Sequence, residues 1–254
     1  MKVSVIGAGS MGGAIARGLL RAGMPAEDLV VANHTSAKLA PYSEAGVSVT
    51  TDNREAARLG DIVILAVKPW ILPGVIDEIK DELQPGRHTL VSVAAGVSGE
   101  SIASQVGCGV YIVIPNTAAE LGESMTFIAT IRESDTRAVN ELFSMVGEVM
   151  EVDESLLPAA TTLASCGIAY AMRYIRAAME GGVELGFRAA AAQAIVAQTV
   201  KGAAALVSRE GAHPETEIDK VTTPGGLTIR GLNEMERAGF SQAVVRGLKA
   251  AVKQ

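Results

Sequence analysis

The stretch VSVIGAGSMGGAIARGLL, residues 3–20, decides the fold. A short β-branched apolar run at 3–6 is followed by Gly7, Gly9 and Gly12 at G-x-G-x-x-G spacing, and then by apolar residues at helical spacing. The glycines permit a tight turn, let backbone N–H groups approach a diphosphate, and let helix and strand pack closely. The motif alone is weak. With a strand directly before it and a helix directly after, it has the context of a dinucleotide-binding βαβ unit. Gly7, Gly9, Ser10, Met11 and Gly12 are therefore candidate cofactor contacts.

Moving outward, apolar runs at 29–32, 62–67, 89–93, 110–114, 125–131 and 147–152 alternate with helical stretches. Such continuous apolar strands are expected where helices cover both faces of a parallel sheet. The pattern predicts a doubly wound, Rossmann-type α/β domain over residues 1–152. From 153 to 254 the strand signal fades and alanine-rich helices take over. AAAAQAIVAQTVKGAAALV, residues 189–207, is apolar around most of its circumference and needs cover on nearly all sides. An all-helical module of about a hundred residues has little interior to offer, so a second copy is expected to cover it.

Composition narrows the function. The chain has 254 residues, 48% of them hydrophobic and 20% charged, enough for a substantial core. With a net charge of -6 and no long basic run, nucleic acid is not the expected partner. Cys108 and Cys166, with His34, His88 and His213, give neither metal-ligand spacing nor a disulfide framework. A strand begins almost at once in MKVSVIGAG, so no secretory leader is expected. Nor is any apolar run expected to be long enough for a bilayer. The expectation is a soluble cytoplasmic protein with no membrane partner.

The type of cofactor is read at the second strand. An NAD site places a carboxylate there for the ribose 2′-hydroxyl. This chain has Asn33, His34, Thr35 and Ser36, with Lys38 nearby. Neutral donors beside a cation suit a 2′-phosphate, which favours NADPH, with NADH possible. Thr35 or Ser36 can equally cap the next helical turn. Three further strand ends reach the same crevice: Ala66-Val67-Lys68-Pro69, Ala94-Ala95-Gly96 and Pro115-Asn116-Thr117. Lys68 reads equally as a solvated lysine, and Asn116 as a cap.

The stretch KVTTPGGLTIRG, residues 220–231, interrupts the helical half with Pro224, Gly225 and Gly226. A double glycine marks a turn or a close backbone approach. Leading into a helix, it offers free N–H groups at a positive helix end, a site for a carboxylate. A helix cap with Pro-Gly as turn former is the alternative.

Over its whole length the chain resembles pyrroline-5-carboxylate reductases. IGAGSMGGAIARGLL, DIVILAVKP, VSVAAGVS, PNT, GVELGF, QTVKGAAAL and VTTPGGLTIRGLNEMERAGF fall in that family's order. The resemblance implies NAD(P)H-dependent reduction of a cyclic imine to L-proline. It also implies a Rossmann domain followed by a helical dimerisation domain, often assembled into a ring of dimers. Thr228 is then the catalytic contact to the imine nitrogen, and Gly225, Gly226, Leu227, Thr228 and Asn116 bind substrate. Asn116 would also touch the cofactor. The sequence departs from the family at Ile112, where arginine is usual, at Ala118 and Ile168, where proline is usual, and at Glu217, where an aliphatic residue is usual.

Other readings are a non-catalytic NADPH-binding regulator descended from such a reductase, or a reductase of a related cyclic imine. A β-hydroxyacid dehydrogenase needs a lysine on the second domain with an asparagine a turn later. Here Lys201 is followed four residues on by Ala205.

Overall fold

The computed structural model describes residues 1–252. Eight strands form one sheet: β1 (Val3–Ile6), β2 (Leu29–Ala32), β3 (Ser48–Thr50), β4 (Ile62–Leu65), β5 (Thr89–Ser92), β6 (Gly109–Ile114), β7 (Ser124–Arg132) and β8 (Gly147–Glu151). Their order is 3-2-1-4-5-6-7-8, and β1 to β6 run parallel. The chain reverses at β7, which pairs antiparallel to β6 and parallel to β8. β3 was not expected, and β4 stops at Leu65, short of the apolar run's end.

Helices α1 (Ser10–Arg21), α2 (Ala40–Glu44), α3 (Asn53–Leu59), α4 (Leu72–Ile79), α5 (Gly99–Ala103) and α6 (Thr136–Ser144) cover the sheet. Successive strand residues point to opposite faces. Val3, Val5, Ile62 and Ile64 accordingly pack with Ile15 and Leu19 of α1, whereas Ile6, Val63 and Leu65 pack with Leu72, Ile76 and Ile79 of α4. Two apolar layers on one sheet make the doubly wound fold.

α7 (Leu157–Ala160) and a π-helical turn, Thr161–Ser165, lead into α8 (Gly167–Glu184), α9 (Ala189–Val207), α10 (Pro214–Val221), α11 (Leu227–Arg237) and α12 (Phe240–Ala251). Composition changes at 152/153, but the compact units part between Cys166 and Gly167. The difference has a physical source. Leu157 and Ala160 are buried in the core of the sheet unit, and Glu154 accepts a hydrogen bond from the Gly99 N–H at 2.6 Å.

The helical unit differs sharply in packing. Among its described residues only Ala192 is buried, where α9 approaches Gly182 of α8; a Cβ at Gly182 would lie 3.1 Å from that of Ala192. The expectation about bilayer-length runs needs correction. The helical run Glu154–Glu184 and α9 are long and apolar enough, by length and composition, to cross a membrane. The sequence reading missed them because polar residues, such as Gln193, Gln198 and Lys201 in α9, interrupt each apolar run without bringing its mean hydropathy down far.

Candidate functional site

The dinucleotide loop follows β1. Gly7 has φ +107°, and a Cβ there would lie 2.6 Å from the Ala66 carbonyl oxygen. A Cβ on Gly12 would lie 2.0 Å from the Gly7 oxygen. These two glycines are required by the turn and by its packing against the end of β4. Gly9 is different: a Cβ on it would meet nothing within 4 Å, so its backbone borders open space. It precedes α1 without a side-chain cap. The N–H groups of Ser10, Met11 and Gly12 in the first turn of α1 are therefore available to an anion. A diphosphate fits this cradle.

At the end of β2, Asn33 is buried and largely committed to structure. Its Oδ1 accepts from the Ala8 N–H at 3.2 Å and its Nδ2 donates to the Thr35 carbonyl at 3.2 Å. Asn33 thus ties the glycine loop to the loop after β2. His34, Ser36 and Lys38 are exposed, and Thr35 is half-buried. Thr35 precedes a single turn, Ser36–Lys38, yet makes no capping bond to it, and among the described residues its hydroxyl has no partner.

The other predicted contacts lie at the carboxyl ends of β4, β5 and β6. Ala66 and Val67 are half-buried, and Lys68 is exposed while its carbonyl accepts from Ile71 and Leu72. Pro69 follows in the same turn. Ala94 is buried, Ala95 is exposed, and Gly96 turns the chain at φ +78°. Asn116 is buried; its Oδ1 accepts from the Ala118 N–H at 2.9 Å, and its own N–H donates to Ser124 Oγ at 3.0 Å. Asn116 does cap the turn Thr117–Leu121, and among the described residues nothing accepts from its Nδ2. Ala118 makes this cap possible, because proline at that position has no N–H to donate.

Ile112 is buried in the core, paired with Ser92 and Ala129. The carboxylate of Glu217 accepts from Lys220 Nζ at 2.7 Å and from Arg209 Nη2 at 3.0 Å. The Lys220 ammonium first, and then Arg209, hold it below the usual carboxylate range.

In the helical unit, α11 begins at Leu227 with Gly226 as its cap residue and no side-chain capping bond. The left-handed residue is Gly225, at φ +70°, whereas Gly226 sits at φ −67° and donates to the Thr223 carbonyl at 2.9 Å. Gly226 is required for space instead: a Cβ would lie 2.5 Å from Thr223 Oγ1 and 2.9 Å from its carbonyl oxygen. Leu227 and Thr228 are exposed, and the Thr228 hydroxyl has no partner among the described residues. The first N–H groups of α11 and a free hydroxyl thus stand side by side.

Sequence reasoning missed Arg17 and Tyr42. Together with Lys38 they border a concavity of about 390 Å³ that also touches Ala8, Gly9 and Ser10. Arg17 Nε and Nη2 donate to the Glu120 carboxylate at 2.8 and 2.9 Å, and Nη1 donates to Tyr42 Oη at 3.2 Å. The pairing raises the Arg17 pKa and lowers that of Glu120. Nothing in the linear spacing of residues 17, 42 and 120 announces the cluster.

An open glycine loop on a 3-2-1-4-5-6 sheet, followed by a helical unit, defines a dinucleotide-binding oxidoreductase of two-unit build. Residues 2–96 match the family model for NADP oxidoreductase, coenzyme F420-dependent, and residues 154–254 match that for pyrroline-5-carboxylate reductase dimerisation. Pyrroline-5-carboxylate reductase 1 of Dictyostelium discoideum is 40% identical over 264 residues, covering 97% of this chain and 48% of the relative, so the chain spans about half its length. Pyrroline-5-carboxylate reductase 2 of the same organism is 36% identical over 267 residues, with 97% and 89% coverage. A Plasmodium falciparum pyrroline carboxylate reductase, solved with NADP bound, superposes with a TM-score of 0.88 at 28% identity, covering 99% of this chain and 95% of that one. The chain belongs to the pyrroline-5-carboxylate reductase family.

Proposed function

We propose that this protein is a pyrroline-5-carboxylate reductase that uses NADPH in preference to NADH to reduce the cyclic imine to L-proline. The observation that carries the reading is the Thr223–Thr228 segment: a left-handed Gly225, a Gly226 with no room for a side chain, uncapped N–H groups and an unspent hydroxyl. A five-membered imine with one carboxylate asks for these features. The N–H groups of Leu227, Thr228 and Ile229 bind the carboxylate at the positive helix end. The Thr228 hydroxyl bonds the ring nitrogen.

The segment Thr222 to Ile229 contains no acid or base. If the imine enters protonated, the protein need not supply a general acid, and orientation and charge placement suffice. NADPH, when bound, supplies the hydride. Gly9 and the first turn of α1 hold its diphosphate. Thr35, Lys38 and the absence of an acid after β2 favour the phosphorylated form over NADH.

The working form is proposed to be a homodimer built on the helical unit. With Ala192 alone buried there among the described residues, α8, α9 and α12 expose apolar side chains that a second copy would cover. The family match over 154–254 supports this. A ring of dimers and a cytoplasmic location complete the proposal. The test is NADPH oxidation followed by absorbance with and without pyrroline-5-carboxylate. Imine-dependent oxidation with proline as product is expected; cofactor binding without turnover would favour the non-catalytic regulator.

A further inference from the structure

The concavity beside the glycine loop assigns a role to side chains that the reaction does not otherwise use. Tyr42 of α2 is 4% exposed, and its oxygen accepts from Arg17 Nη1. A phenol that accepts through oxygen still has its own proton to donate, and among the described residues no acceptor takes it. Arg17 cannot swing freely, because Glu120 grips its guanidinium through two bonds. Gly13 shows that the pair is built in: a Cβ there would lie 2.9 Å from Arg17 Nη1 and 3.1 Å from Tyr42 Oη. Across the same concavity Lys38 has no carboxylate within ion-pair reach among the described residues, and Gly9 and Ser10 complete the rim.

We propose that Tyr42, set by Arg17, is a specificity-determining residue that donates its hydroxyl proton to the 2′-phosphate of the cofactor, alongside Lys38. The inference rests on the NADPH reading above and deepens it. A guanidinium bonded to the phenol oxygen polarises the O–H and makes it a stronger donor to a dianion. Glu120 cancels the charge of Arg17, so Lys38 supplies the net positive charge and Tyr42 the direction. Arg17 and Glu120 are positioning residues. The chemistry recognised is a phosphate monoester next to an adenosine, attached to the diphosphate that the glycine loop holds.

The experiment is calorimetric titration of the full-length protein with 2′,5′-ADP and with 5′-AMP, which differ by the phosphate in question. Wild type is expected to prefer 2′,5′-ADP. Tyr42→Phe keeps the packed ring, and it should weaken 2′,5′-ADP tenfold or more while leaving 5′-AMP unchanged. Gly13→Ala is expected to part Arg17 from Tyr42 and to produce the same selective loss, with Tm as the check on folding. If Tyr42→Phe binds 2′,5′-ADP like wild type while Lys38→Ala loses it, the phosphate site stands and Tyr42 is no part of it. If Tyr42→Phe weakens both ligands equally, its role is only to shape α2 and the proposal is wrong. If wild type does not distinguish the ligands at all, the NADPH reading itself has failed.

Discussion

Thr228→Ala separates function from folding unusually well in this protein. The side chain is exposed, it makes no hydrogen bond among the described residues, and it stands in the uncapped first turn of α11. Its removal leaves no buried group unsatisfied. Alanine is the better helix former by up to about 0.7 kcal/mol, so Tm should hold or rise slightly. The functional loss is a hydrogen bond to a charged nitrogen, about 1.5–3 kcal/mol, or roughly tenfold to a hundredfold in kcat/KM. The assay is initial-rate kinetics with the imine varied at saturating NADPH, with NADPH affinity measured separately by fluorescence. Thr228→Ser retains the hydroxyl and should recover most of the activity. Full activity in Thr228→Ala, or an equal fall in imine and NADPH affinity, would refute the assignment and reduce the segment to a helix start.

Gly225 and Gly226 should fail for different reasons. Gly225→Ala meets no atom within 4 Å but must hold φ +70°, at about 1–2 kcal/mol, so a lower Tm is expected with kinetics less affected. Gly226→Ala keeps an ordinary φ and collides with Thr223, so KM for the imine should rise more than Tm falls; the reverse pattern would contradict the geometry. His88 gives a pH signature. Burial first, and then Arg87, lowers its pKa, while its Nδ1 accepts from the Gln84 N–H at 2.8 Å. Below about pH 6.5 the unfolded chain binds a proton that the folded protein refuses. Stability should therefore fall with pH from there by up to about 1.4 kcal/mol per unit, and His88→Gln should flatten the slope measured by denaturant titration. Light scattering at micromolar concentration should show a dimer, and a stable active monomer would contradict the argument from the uncovered helices.

The sequence revealed the parts of the fold that have local causes. Strand, glycine loop and helix stand in one run of eighteen residues, and the ends of β4, β5 and β6 carry their own turn residues. β3 escaped because three residues, Ser48–Thr50, are too few to show a period, and they lie half-exposed at the sheet edge. The reversal at β7 escaped because an apolar run reads the same in either direction. Arg17, Tyr42 and Glu120 escaped because a cluster drawn from α1, α2 and the turn after β6 exists only once those elements pack. Gly18 records how close that packing is: a Cβ there would lie 2.1 Å from the Ala119 oxygen.

Departures from the family motif were visible as letters, yet their meaning needed the structure. Ala118 looks like the loss of a proline, but its N–H is the donor that Asn116 Oδ1 accepts. Proline would leave that oxygen free, whereas alanine fixes the amide and frees only its Nδ2 side. Asn116 here can donate through Nδ2, while one lone pair of its Oδ1 is already taken by the Ala118 N–H. The structure also explains why Ile112 does no harm to the fold: it fills the core between β5 and β7, where an arginine would need a partner for its charge. Both of these departures lie on β6 or in the turn that follows it. The other two departures, Ile168 and Glu217, lie in the helical unit, where the Gly225, Gly226 and Thr228 of the family motif are kept.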